Sequence, residues 1–174
     1  MASIIENAQD KAKLLAHRLQ SIQDDLRPSR IVFAESCTAG LVSALMGQVP
    51  GISDFLCGSA VTYRASVKQD WLGVDQKTIN EFTTESGEVT EAMALGVLSK
   101  TSEATYSSAI TGHLGPGAPA EIDGKVFIAC AMREKSGQLK TIGQSDFKLG
   151  AESRTERQYE AATLVIEFLS RCLS

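Results

Sequence analysis

The sequence predicts an α/β domain in which a mixed sheet carries helices on both faces. Three observations carry that expectation. Short apolar runs with strand character, "RIVFA", "FLCGSAVTY" and "TYSSAITG", alternate with helical stripes. Two more such runs, "KVFIACAM" and "LKTIGQSDF", follow each other across the polar turn "REKSGQ", which reads as a hairpin. A long amphipathic segment closes the chain, with Ala161, Leu164, Val165, Phe168 and Leu169 at three- and four-residue steps.

In chain order, Ile4 to Gln23 shows a helical stripe of Ile4, Ile5, Ala8, Ala12, Leu14, Leu15, Leu19 and Ile22. "DDLRPSR" ends it, with Pro28 as the breaker. "RIVFA" is the first strand, buried by its composition. "TAGLVSALMGQV" reads as a helix capped by Ser36 or Thr38 and closed by Pro50-Gly51. The small-residue strand "FLCGSAVTY" comes next, then short helical turns in "SVKQDWLGV" and "KTINEF". "SGEVTEAMALGVLSK" is a longer helix whose early acids, Glu88 and Glu91, suit the positive end of its dipole. "TYSSAITG" runs into the glycine-rich loop "TGHLGPGAPAEIDG", and the hairpin follows. The final helix begins near Glu152. No repeat, low-complexity segment or linker interrupts the pattern, so residues 1–174 read as a single domain.

A chain of 174 residues has the length to bury a real core. Its 43% apolar and 22% charged content is ordinary for a globular protein. The net charge of −4 and the lack of a Lys/Arg stripe argue against nucleic acid as a partner. No apolar stretch approaches a membrane span, and the N-terminus lacks the basic start of a secretory signal, so a cytoplasmic protein is expected. The four cysteines, Cys37, Cys57, Cys130 and Cys172, are scattered and form no CxxC. They read as small buried thiols, and with only two histidines, His17 and His113, no metal site is assigned.

In layered α/β folds ligands gather where strands end. "FAESCTAG" sits at such a point and holds Ser36, Cys37 and Thr38 in a row. Backbone N–H groups at a helix start can hold an anion or a developing oxyanion, whereas Ser and Thr there also serve as plain caps. The loop from Thr111 carries Gly112, Gly115 and Gly117, which suits close approach to a ligand or an ordinary turn. A serine nucleophile needs a base. His113 is one candidate, and Lys68 is the better one, because burial lowers a lysine pKa. Tyr63 stands five residues earlier, within reach of the same pocket. Arg154 and Arg157, one turn apart, can clamp a phosphate or pair with Glu152 and Glu156 at the surface.

These pieces occur together in one family. The strings "AESCTAG", "VPGISDFLCGSAVTYRASVKQDWLGV", "ESGEVTEAMALGVL", "AITGHLGPG" and "GKVFIA" resemble the CinA C-terminal domain family, over residues from about 8 to 170. Its stand-alone bacterial members include nicotinamide-nucleotide amidases. The resemblance implies a three-layer α/β/α sandwich with a mixed, mostly parallel sheet of about five strands. It implies hydrolysis of the carboxamide of nicotinamide mononucleotide to nicotinate mononucleotide and ammonia, with no metal and no cofactor. By the same resemblance Ser36 is the nucleophile, Lys68 the general base, and Tyr63 lines the site. Amides near Cys37 and Thr38, at the turn ending in Gly40, form part of the oxyanion hole. Thr111, Gly112 and Gly115 lie against the nucleotide, and Arg157 falls near its phosphate, with Arg154 kept as a substrate-binding candidate from its place one turn away. The implied partners are a small-molecule nucleotide and a second copy of the chain, in a homodimer or other homo-oligomer. The chain departs from the family pattern at Ala39 (a glycine in the family), at His113-Leu114 (Ile-Ala) and in a shorter glycine loop containing Asp123. Its first arginine of the last helix, Arg154, is shifted by one. Those departures support a second reading, a non-catalytic nucleotide-binding or partner-binding module of the same fold.

Overall fold

The computed structural model describes residues 2–22 and 29–173. The elements run α1 (Ala2–Ile22), β1 (Ile31–Glu35), α2 (Leu41–Met46), a 3-10 turn (Ile52–Asp54) and β2 (Leu56–Val61). Then come α3 (Ala65–Leu72), α4 (Gln76–Phe82), α5 (Gly87–Lys100), β3 (Tyr106–Gly112), β4 (Lys125–Arg133), β5 (Leu139–Lys148) and α6 (Arg154–Cys172). Each strand and helix read from the sequence is present. The break at Pro28 lies outside the described residues.

The strands form one sheet in the order β2-β1-β3-β4-β5. β1 pairs in parallel with β2 and β3, while β4 is antiparallel to both β3 and β5. β4 alone therefore opposes the other four strands, which makes the sheet mixed and mostly parallel. Alternate side chains of the central strands feed two cores. Ile31, Phe33, Ile110, Ile128 and Cys130 pack under α1, α2 and α6. Val32, Ala34, Ala109, Ala129 and Ala131 pack under α3, α4 and α5. The result is a three-layer α/β/α sandwich.

Two local expectations are corrected by the packing. Leu14, read as part of the α1 stripe, is 59% exposed, and the buried face is Ala8, Ala12, Leu15 and Leu19. Leu14 sits one step, about 100°, round the helix from Leu15 and falls outside the narrow buried stripe of Ala8, Ala12, Leu15 and Leu19. The helix after β1 is only Leu41–Met46, and neither Ser36 nor Thr38 caps it: the cap position is Gly40, with no side-chain cap bond from that residue. Among the described residues, no helix is long and apolar enough to cross a membrane.

The chain leaves β1 toward the α2 layer and leaves β2 toward the α3 layer. The two exits diverge to opposite faces of adjacent parallel strands. A crevice opens between them at the strands' carboxyl ends, as in open α/β sheets generally.

Candidate active site

Ser36 is the first residue after β1, with its amide bonded to the Ile110 carbonyl of β3 at 3.1 Å. Lys68 comes from the first turns of α3 and is fully buried. Its Nζ lies 2.9 Å from Ser36 Oγ and donates to the Thr62 carbonyl at 2.8 Å. Burial lowers the Lys68 pKa from 10.5 to about 8, with the charge of Glu85 pulling the other way. A lysine with that pKa is half neutral near pH 8 and more so above it, where its lone pair is available to take the serine proton.

The turn that presents Ser36 is held by Glu35, the last residue of β1 and completely buried. Its carboxylate accepts five hydrogen bonds: from Thr38 Oγ1 (2.8 Å), Gly40 N (2.9 Å), Val42 N (3.0 Å), Ser43 N (3.0 Å) and Ser59 Oγ (2.9 Å). Glu35 thus satisfies the free amides at the start of α2 and ties that turn to β2. Five donors on one carboxylate offset the cost of burying its charge. Among the described residues, no backbone carbonyl accepts from the amides of Cys37 or Thr38. Burial pushes the Cys37 thiol pKa up to about 12, so the thiolate is scarce and the neighbouring serine is the better-activated group.

A cavity of about 390 Å³ opens on Ser36 and Cys37, lined also by Tyr63, Glu85, His113, Arg154 and the loop Gly112–Pro119. Arg154, at the start of α6, donates to the Gly115 carbonyl and, at 3.0 Å, to Tyr63 Oη, bridging the glycine loop to the end of β2. Among the described residues, no three His, Cys, Asp or Glu side chains gather closely enough to hold a metal ion.

A model of the CinA C-terminal domain matches residues 12–173, nearly the whole chain. The chain belongs to the CinA C-terminal domain family. The CinA-like protein of Syntrophotalea carbinolica is 32% identical over 145 residues, which are 82% of this chain and 33% of that protein. The CinA-like protein of Mycobacterium leprae is 46% identical over 88 residues, 51% of this chain and 20% of that protein. The chain spans about a third or less of the length of these relatives. Among solved structures, the competence/damage inducible protein CihA from Agrobacterium tumefaciens superposes with a TM-score of 0.82 at 26% identity, covering 97% of this chain and 96% of that one. A competence-damaged protein (CinA) superfamily protein from Enterobacter cloacae gives a TM-score of 0.81 at 25% identity, covering 96% and 92%.

In this CinA C-terminal domain the residues singled out from sequence divide into two groups. Ser36, Cys37, Tyr63, Gly112, Gly115 and Arg154 line one cavity, and Lys68 touches Ser36 from behind it. The others serve the frame. Thr38 Oγ1 donates to Glu35, and its carbonyl accepts from Gln158 of α6 at 2.8 Å. Gly40 donates its amide to Glu35. The Thr111 hydroxyl is buried and lies 2.7 Å from Thr90 Oγ1 on α5, so it points away from the cavity. Arg157, expected near a phosphate, pairs with Asp123 at 2.8 Å and donates to the Leu114 and Ala151 carbonyls, bracing the glycine loop from behind. Gly115 has φ +63°, and a Cβ there would overlap Asp123 Oδ1 and crowd Arg157, so this brace requires glycine. Ala39, where the family has glycine, has φ +53° and an exposed side chain, so its methyl points away from the site. His113 lines the cavity 3.9 Å from Glu85.

Sequence reading missed Glu35 and Glu85. An acid ending an apolar strand just before a helix is the signal that identifies Glu35. Glu85 carries no local signal, because only the fold brings it to Ser36.

Proposed function

We propose that the domain is an amidohydrolase that removes ammonia from the carboxamide of nicotinamide mononucleotide, with Ser36 as nucleophile and Lys68 as base. The observation that carries the reading is the 2.9 Å contact between Ser36 Oγ and a fully buried lysine. As Ser36 Oγ bonds to the carboxamide carbon, its proton passes to neutral Lys68 Nζ. The amides of Cys37 and Thr38 face the oxygen that gains charge. Lys68 then returns the proton to the amide nitrogen as the C–N bond breaks and ammonia leaves. Water attacks the ester carbon, Lys68 takes its proton, and the Oγ–C bond breaks as Ser36 recovers a proton from Lys68. The acid product is released. No step uses a metal or a cofactor. Arg154, which reaches the cavity, is the residue assigned to the nucleotide phosphate.

Ammonia release from nicotinamide mononucleotide, with a chelator present, tests this. Ser36→Ala and Lys68→Ala are expected to lose roughly a thousandfold or more in kcat with the fold intact, and Lys68→Arg to give no rescue, because a guanidinium does not deprotonate. Full turnover by Ser36→Ala would overturn the mechanism. Tight nucleotide binding by the wild type without product would favour a non-catalytic binding module.

A further inference from the structure

The cavity over Ser36 has opposite charges on its two helical walls. Arg154 enters from α6, on one face of the sheet, and Glu85 from the turn that leads into α5, on the other. Glu85 is the acid among the cavity-lining residues. Its Oε2 accepts from Thr84 Oγ1 at 2.5 Å and stands 3.9 Å from His113 Nε2. Among the described residues, no lysine or arginine pairs with it, and its side chain is 26% exposed, toward a cavity that a ligand would fill. Its field also reaches Lys68, so the carboxylate acts near the reacting pair. A partly desolvated carboxylate whose nearest basic neighbour is a histidine beyond hydrogen-bond distance favours a positive charge brought in by a ligand.

We propose that Glu85 is a specificity-determining residue, selecting carboxamides carried on a positively charged ring over the same carboxamide on a neutral ring. The inference rests on the amidase reading and deepens it. An N-glycosylated nicotinamide is a pyridinium cation joined to an anionic phosphate, and the Glu85 and Arg154 walls match that charge order. Substrates with an uncharged ring leave the carboxylate unpaired in the filled cavity, which costs binding.

The probes are nicotinamide mononucleotide and its reduced dihydro form, which share ribose, phosphate and carboxamide and differ in ring charge. Calorimetry at pH 8 in a Ser36→Ala background measures binding without turnover. With Glu85 present, the cationic nucleotide is expected to bind roughly fivefold or more tightly than the neutral one. Glu85→Gln is expected to erase that ratio, weakening the cationic nucleotide and relieving the cost that the unpaired carboxylate imposes on the neutral one. With Ser36 restored, Glu85→Gln should also move the acid limb of kcat/KM to lower pH, because a negative field at Lys68 is gone, and a merely structural role would not do that. A ratio that survives Glu85→Gln, or a variant that weakens both nucleotides alike, overturns the role of Glu85 and leaves the amidase reading standing. Charge discrimination in binding without turnover by the Ser36 enzyme upholds the inference and removes the amidase reading. Failure to bind either nucleotide overturns both.

Discussion

At the scale of single residues, Glu35 is the least replaceable part of the site's frame. Its two oxygens face five donors, and three of them are backbone amides that have no other partner once α2 starts. Glu35→Gln turns one acceptor oxygen into a donor aimed at those amides. The expected loss is at least about 2 kcal/mol of stability, read as a lowered urea midpoint. An unchanged midpoint would mean that the turn is held by something else. The Ser36–Lys68 pair depends on this turn from one side and on the Thr62 carbonyl from the other. The first support has a local signal, an acid that ends an apolar strand just before a helix, whereas the second has none, because a backbone carbonyl has no letter in the sequence.

Among the elements, α3 decides where the base sits. It packs on α5 so closely that a Cβ at Gly96 would overlap the Leu72 carbonyl at the end of α3. Gly96→Ala should therefore push α3 outward, lowering stability by roughly 1–3 kcal/mol and lengthening the contact of Lys68 with Ser36. A lower thermal midpoint with a lower kcat is the expected result, and a variant with wild-type values in both would show that the helices separate freely. Strands, helices and their order were legible in the sequence because each has its own period of apolar residues: Ala8, Ala12, Leu15 and Leu19 on α1, and Ala161, Val165 and Leu169 on α6. The start of α2 was not. It is set by a carboxylate from the preceding strand, so the Ser and Thr that resemble caps point elsewhere. For the site, the Ser36, Lys68, Tyr63 and Arg154 grouping was anticipated, largely through the family motif. The hydroxyl of Thr111 bonded to Thr90 and the guanidinium of Arg157 paired with Asp123 were not legible, since both depend on contacts between distant segments.

For the molecule as a whole, the buried lysine couples folding to pH. Its pKa falls from 10.5 to about 8 on folding, so below pH 8 the folded chain bears the full cost of a buried charge, roughly 3 kcal/mol. Between pH 8 and 10.5 the unfolded chain binds more protons than the folded one, and this cost shrinks as pH rises. Lys68→Met removes it. In paired urea titrations the wild type should gain roughly 2 kcal/mol on Lys68→Met between pH 7 and pH 10, while parallel pH dependences would mean that the lysine is solvated. The same titration governs catalysis if neutral Lys68 activates Ser36. The most direct measurement is the pH dependence of kcat/KM for ammonia release from nicotinamide mononucleotide. The expected profile rises about tenfold per pH unit and levels off above an apparent pKa of about 8, and His113→Gln leaves it in place. A profile that is flat from pH 7 to 9, or an acid limb that disappears in His113→Gln, would contradict Lys68 as the base.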